Sequence, residues 1–370
     1  PMILFIGDVA RGDRDREGFQ EVDFQTMFAP LSKWAARIDD AARIPEYVAR
    51  AYSVAISGRP GPVVLALPED MLRDEVEAID RTPGPILNQA ISTNQAVEIA
   101  EAIALASNPV AIVGGAGWNV HTGRAFARFA EKCGLPVAAA FRRQDAIPND
   151  SPIWAGNLGY GPNPKLVARI KAADLLLVVG ARLGEATTDG YTLITPEHPG
   201  QYLIHIHPDP AEIGRVFAAD PLSVCADVRS AAHALEYAVT ELLMPDGPIA
   251  LGSPAGGEAH AEWLDWTNAQ PRDIALDLGQ VVMHMRETLP ADSIICNGAG
   301  NFSGWFHRYW RYAAMPSQLA PTNGSMGYGV PAGIGSAMAA PSRPVWCFAG
   351  DGGMLMTASE MGLLGGRTVT

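Results

Sequence analysis

The run PVWCFAGDGGMLMTASE (344–360) has the strongest chemical character in the sequence. An apolar stretch ends in Gly350-Asp351-Gly352-Gly353, and a helical pattern follows. Small residues let the backbone approach a ligand closely, and successive N–H groups in such a turn form a concavity suited to phosphate. Asp351 adds a carboxylate oxygen of the kind Mg²⁺ takes, since that ion usually joins a protein carboxylate to phosphate oxygens. Together these residues describe a diphosphate-metal site. A Gly-Asp-Gly turn also serves as an ordinary strand-to-helix connection. Its company weighs against that reading: APTNGSMGYGVPAGIGSAM (320–338) and NGAGNFSGWFHRYW (297–310) are two further glycine-rich segments. Ligands of open parallel sheets bind at the carboxyl ends of strands, where all three segments would converge. Thr357, with Glu360 three residues on, fits a capping box and places a helix start there.

A second segment, IVGGAGWNVHTG (112–123), has the strand-glycine-helix form of a dinucleotide fingerprint. Val120 stands where the third glycine belongs, so the match to a nicotinamide site is weak. His205 and His207 alternate on one predicted strand, a spacing that requires no metal. The four cysteines, Cys133, Cys225, Cys296 and Cys347, are far apart and form no C-x-x-C pair. Neither a zinc site nor a disulfide framework is expected, and a reducing cytoplasm is the default.

In this order the glycine-rich segments resemble the diphosphate-binding domain of thiamine-diphosphate enzymes. FQEVDFQ (19–25), GRPGPVVLALPEDM (58–71) and HPDPAEIG (207–214) resemble acetolactate synthase large subunits and their relatives. The resemblance extends over nearly the whole chain, to about Glu360. It implies a thiamine diphosphate and Mg²⁺ enzyme that decarboxylates a 2-oxo acid such as pyruvate and transfers the acyl unit to a second carbonyl, in branched-chain amino-acid biosynthesis. Asp351 would hold Mg²⁺, while Gly352 and Gly353, with Gly350 in the same turn, would offer the diphosphate backbone donors. Asn301 and Phe302 would reach it from the neighbouring loop. The Gly324 carbonyl would accept from the cofactor's amino group, and Met326 would wedge under the bent cofactor; simple core packing is the alternative for Met326. On the substrate side the resemblance places Phe19, Gln20 and Lys33. Lys33 would stabilise a developing oxyanion or carboxylate and Gln20 would hydrogen-bond it, against the alternative of a solvated lysine. Glu21 reads as structural. The activating glutamate of such enzymes is expected upstream of Pro1, and a second amide ligand of the metal beyond Thr370.

The resemblance also implies FAD in the middle of the chain, held by counterparts at Gly114, Gly115, Arg182, Asp209 and Asp227. Two departures bear on that flavin: His207 stands where an acidic residue is usual, and LGEATTDGY (183–191) replaces an acidic pair after Arg182. A purely structural middle domain is the alternative. A homodimer or homotetramer with active sites between subunits is implied as well. A simple 2-oxo-acid decarboxylase, an aldehyde lyase on the same scaffold, and a non-catalytic relative are the rival functions.

The elements that must carry these residues follow from length and pattern. At 370 residues the chain exceeds one core. Helical patterns alternating with fully apolar strands predict α/β domains with doubly wound parallel sheets. Three are expected: 1–85, 86–245 and 246–370, the first and last incomplete. PMILFIGDVA (1–10) reads as a buried strand in mid-flow, so further sequence is expected upstream. RTPGPILNQA (81–90) and the Gly/Pro-rich stretch 244–261 read as connectors, and a long Ala-rich helix is predicted over 230–243. Gly365-Gly366 should end the last helix.

Apolar residues make up 48% and charged residues 18%, enough to bury cores and too little charge for a disordered chain. The net charge of −13 offers no basic face for nucleic acid. No apolar run approaches the roughly 18 residues that a membrane helix needs, and no leader pattern opens the chain.

Overall fold

The computed structural model describes residues 1–85, 89–242, 253–313, 315–366 and 368–370. Two compact units divide the chain, Pro1–Asn88 and Gln89–Thr370. All three sheets are parallel throughout, as the alternating apolar pattern predicts.

The first unit holds β1 (Met2–Asp8), α1 (Phe24–Phe28), β2 (Trp34–Arg37), α2 (Ile44–Ile56) and β3 (Pro62–Pro68). Its sheet has the order β1-β3-β2, so the apolar run of β3 is central and buries Val63 to Ala66 completely. β1 is a strand as predicted but lies at the sheet edge, and the expectation of burial fails: Met2 and Phe5 are about half exposed. Among the described residues it pairs with β3 alone, and every residue of it but Asp8 stays exposed or half-buried. Ala51 and Ala55 pack α2 onto Val63, Leu65 and Met71.

The second unit opens with α3 (Thr93–Leu105), whose Ser92 and Gln95 form a reciprocal capping box. Then come β4 (Pro109–Val113), α4 (Val120–Cys133), β5 (Val137–Ala139), β6 (Trp154–Asn157), α5 (Pro164–Ala172), β7 (Leu175–Val179), β8 (Tyr202–His207), β9 (Val224–Cys225) and α6 (Val228–Tyr237). The strand order is β6-β5-β4-β7-β8-β9, which runs outward in both directions from β4. This is the doubly wound dinucleotide-type order, with its switch point between β4 and β7. Those two strands are buried at every residue, as central strands covered on both faces must be.

Two sequence expectations change here. The helix predicted over 230–243 begins at Val228 and passes into a single π turn over Ala238–Leu242; residue 243 lies outside the described residues. Of the connector predicted over 244–261, residues 244–252 also lie outside them. From Ala255 the chain is helical: α7 (Ala255–Trp266) turns Gly256, Ala259 and Trp263 inward and stacks Trp263 edge-on against Trp154 at 6.2 Å. Glycine and alanine at helical spacing bury too little area to show as periodicity in sequence. In the connector predicted over 81–90, residues 86–88 lie outside the described residues.

The chain continues through α8 (Leu278–Thr288), β10 (Ile294–Asn297), α9 (Ser303–Tyr309), β11 (Gln318–Leu319), α10 (Gly329–Ala339), β12 (Val345–Phe348) and α11 (Asp351–Thr357). The third sheet has the order β11-β10-β12. Gly365 and Gly366 both take left-handed backbone and stop the helical run. Among the described residues no helix is long and apolar enough to cross a membrane.

Candidate functional site

The three glycine-rich segments leave the carboxyl ends of β10, β12 and β11, and they meet. The Gly298 N–H donates to Phe348 O at 2.9 Å, tying the β10 exit to the end of β12. The Phe302 ring lies against Gly298, Gly300 and Gly350. Gly329 sits so close to the β10 exit that a Cβ there would stand 2.8 Å from Gly298 N. Gly327 packs on Met356 and Thr357, and the Thr357 hydroxyl donates to Gly327 O at 3.1 Å. Thr357 is the last residue of α11 and stands at the N-cap of the 3-10 helix Ala358–Leu364 that follows, so a helical segment does start there, but its side chain makes no capping bond to it and the capping box does not form. The turn before Asp351 already starts the helix, and the threonine is drawn away to the neighbouring loop.

Met326 reaches the Gly350–Gly353 turn: a Cβ on Gly352 would lie 3.0 Å from the Met326 Cε. The side chain nonetheless keeps 51% of its surface, so core packing does not account for its position. Asp351 is exposed, with one oxygen accepting from Gly352 N–H at 2.8 Å. Gly324 has left-handed backbone, φ +75°, with open space where a side chain would be. Asn301 is exposed and Phe302 half-buried. Backbone, one carboxylate and one exposed thioether thus share a small area beside the Phe302 ring, an arrangement that suits a diphosphate and a hydrophobic ring system. Among the described residues no group of three or more His, Cys, Asp or Glu gathers. A cation at Asp351 would need oxygens from the ligand, as Mg²⁺ with phosphates commonly does.

The central-sheet candidates lie at one carboxyl edge but are otherwise engaged. Asn119 caps α4 by accepting from His121 and Thr122 N–H groups, the donors that a phosphate would want. Gly114 and Gly115 pack against the backbone at Gly180 and the methyl of Ala140, and the buried Trp118 indole donates to Gly114 O at 2.7 Å. Arg182 pairs with Glu212 at 3.2 Å. Asp209 and Asp227 are N-caps, accepting from Ala211 N–H and from Arg229 and Ser230 N–H. In the structure these groups make their bonds within the protein, while the Arg182 side chain remains 44% exposed beside Glu212.

In the first unit Phe19 is 91% exposed and Gln20 is exposed with left-handed backbone, φ +66°. The Lys33 ammonium donates to Ser57 O beyond the end of α2. The Glu21 carboxylate accepts from Gly18 and Asp15 N–H groups, which hold its pKa below the ordinary value.

The segment FRRQD (141–145), which the motif reading passed over, is the polar seam between the central and third sheets. Asp145 accepts from Ser317 and Gln318 N–H at 3.0 and 3.1 Å. Gln144 exchanges hydrogen bonds with the Gln318 side chain and donates to His307 O at 2.8 Å. The available signal was a run of charge directly after the apolar β5, where a covered strand end should be poor in it.

His307 is buried at this seam, with Phe141 edge-on to its ring at 5.9 Å, and burial pulls its pKa down to about 3. His205, buried with its Nε2 2.8 Å from Ala181 O, is pulled down to about 4, also chiefly by burial. Both rings are neutral in the fold and titrate near the ordinary value, about 6.5, when unfolded. As pH falls below about 6.5 only the unfolded chain takes up these protons, so stability is lost progressively down to the folded values. Each histidine is expected to contribute up to about 1.4 kcal/mol per pH unit in that window. Urea midpoints measured from pH 6.5 to 4.5 should fall; a level profile would sink this assignment.

Two family descriptions match the chain: "Thiamine pyrophosphate enzyme, central domain" over residues 96–235, and "Thiamine pyrophosphate enzyme, C-terminal TPP binding domain" over residues 298–367. Between them they account for more than half of it, and the chain belongs to the thiamine pyrophosphate enzyme family. Within that family it is similar to acetolactate synthase large subunits. That of Corynebacterium glutamicum is 28% identical over 98% of this chain and 58% of its own length. That of Lactococcus lactis is 27% identical over 99% and 63%. Chloroplastic acetolactate synthase 2 of Zea mays is 28% identical over 98% and 57%. The chain spans about three fifths of the length of these relatives.

Proposed function

We propose that this chain forms part of a thiamine diphosphate and Mg²⁺ dependent enzyme that decarboxylates a 2-oxo acid of the pyruvate class and transfers the acyl unit to a second carbonyl. The observation that carries the proposal is the meeting of Met326 with the Gly350–Gly353 turn. Together they combine an apolar wedge with a phosphate-suited backbone concavity, the two features that a molecule with a diphosphate tail and two linked rings requires. When bound, thiamine diphosphate supplies the electron sink for the carbon left by decarboxylation. Asp351 would hold Mg²⁺, and the N–H groups of Gly352 and Gly353 would offer donors to the diphosphate. Asn301 and Phe302 would close the site from the β10 exit. Gly324 O would orient the amino-bearing ring and Met326 would keep the two rings facing each other, an effective-concentration device for proton transfer between them. Phe19, Gln20 and Lys33 would line the substrate side.

A homo-oligomer with shared sites accords with the exposed Met326, Leu355, Met356 and Leu363, which leave an apolar surface beside the turn. Simple decarboxylation without transfer is the second reading, on the same scaffold.

The test is incubation of the purified full-length protein with thiamine diphosphate, Mg²⁺ and pyruvate. Acetolactate supports transfer, acetaldehyde supports the second reading, and binding without turnover of any 2-oxo acid supports a non-catalytic relative. Failure to bind thiamine diphosphate would overturn all three. A visible absorbance spectrum of the same preparation reads the flavin question, and no bound flavin is expected.

A further inference from the structure

Arg142 is placed at an energetic cost that its surroundings do not explain. It follows β5 with left-handed backbone, φ +60°, which a side chain with a Cβ disfavours. The residue is 6% exposed, and burial pulls its pKa below the ordinary value. Among the described residues no carboxylate pairs with it, and its Nε has no partner. A buried charge without a counter-ion is one of the more expensive features a fold can keep. Docking of the central sheet onto the third does not need it, since Gln144 and Asp145 supply that seam with neutral and carboxylate hydrogen bonds.

What Arg142 does touch is specific. One end of its guanidinium donates to Pro321 O, the same carbonyl that accepts the Gly324 N–H at 3.1 Å. The other end lies 3.4 Å from Ser303 Oγ, which donates in turn to Gly300 O at 2.8 Å. The guanidinium rests on the Phe141 ring, 4.6 Å from its centre. One rigid planar fork therefore spans the turn carrying Gly324 and the turn carrying Asn301 and Phe302.

We propose that Arg142 is a positioning residue: by bracing Pro321 O and Ser303 Oγ together, the central sheet sets the spacing of two loops that hold thiamine diphosphate. The inference rests on the site reading given above. It also assigns the central domain a part in cofactor binding through a single side chain that need not touch the cofactor.

The test uses the full-length protein with Arg142→Gln and Arg142→Lys. Thiamine diphosphate binding in the presence of Mg²⁺ is followed by tryptophan fluorescence, and thermal unfolding is followed without cofactor. Arg142→Gln is expected to weaken binding roughly tenfold or more, the scale of one lost charge-assisted hydrogen bond. Its cofactor-free unfolding midpoint should be unchanged or higher, because an uncompensated buried charge is gone. Arg142→Lys, which keeps the charge and one donor direction, should recover part of the affinity. Binding within twofold of the unsubstituted protein overturns the inference. So does a lowered midpoint with or without weaker binding, or failure of both variants to fold, since each marks a merely structural residue. Absence of binding by the unsubstituted protein would sink the site reading too, whereas unchanged binding in Arg142→Gln sinks this inference alone.

Discussion

Asp351→Asn is expected to weaken thiamine diphosphate binding in the presence of Mg²⁺ by roughly 100-fold, about 3 kcal/mol, while leaving the fold intact. The carboxylate is exposed and its one resolved bond is to the adjacent Gly352 N–H, which an amide oxygen can also accept. Substitution therefore removes a charge and little packing. Since no other cluster of acidic or imidazole ligands is gathered among the described residues, the ion has no ready protein substitute there. Titration of Mg²⁺ at fixed thiamine diphosphate, read by fluorescence, checks this. An unchanged Mg²⁺ requirement in the variant would remove Asp351 from the proposed site. Gly352→Ala makes an informative companion. Its new methyl meets only the mobile tip of Met326, at 3.0 Å, so the effect should fall on Met326 placement and not on folding.

Gly115→Ala is the second large effect, and it concerns stability. The new Cβ would stand 1.9 Å from Gly180 O, and the backbone has φ +71°. Left-handed backbone costs alanine about 1–2 kcal/mol, and forcing β4 away from β7 adds about 1–3 kcal/mol of overpacking. A loss of about 3 kcal/mol is expected in urea unfolding. Gly184→Ala, with no atom within 4 Å of the added methyl, should change stability by no more than about 0.5 kcal/mol. Equal midpoints for the two variants would contradict this account. If it holds, the glycines of the apparent fingerprint serve close approach of two strands at the switch point, and their presence says nothing for a bound nucleotide.

Much of the fold was legible because the local pattern and the tertiary requirement coincide. LLLVV of β7 and PVAIV of β4 are apolar at every position, and such strands can sit only in a sheet covered on both faces. Where the two requirements part, the reading slips. β1 has the same apolar character but lies at an edge, and α7 hides its inward face behind glycine and alanine. The polar seam at FRRQD was passed over because its partners, Ser317, Gln318 and His307, lie more than 160 positions away.

By itself the sequence determined the parallel α/β character, the glycine-rich exits from three strands and the type of ligand they suit. Strand alternation and turn residues are encoded among near neighbours, so no long-range knowledge is needed to read them. Only the tertiary structure decided the strand order β6-β5-β4-β7-β8-β9, the meeting of Met326 with the Gly350–Gly353 turn and the burial of Arg142 between two loops. It also showed Asn119, Asp209 and Asp227 spending their oxygens as helix caps, which sequence spacing alone cannot tell from ligand contacts. Each depends on which distant segment packs beside a residue, and that is settled by the burial and hydrogen bonding of the whole unit.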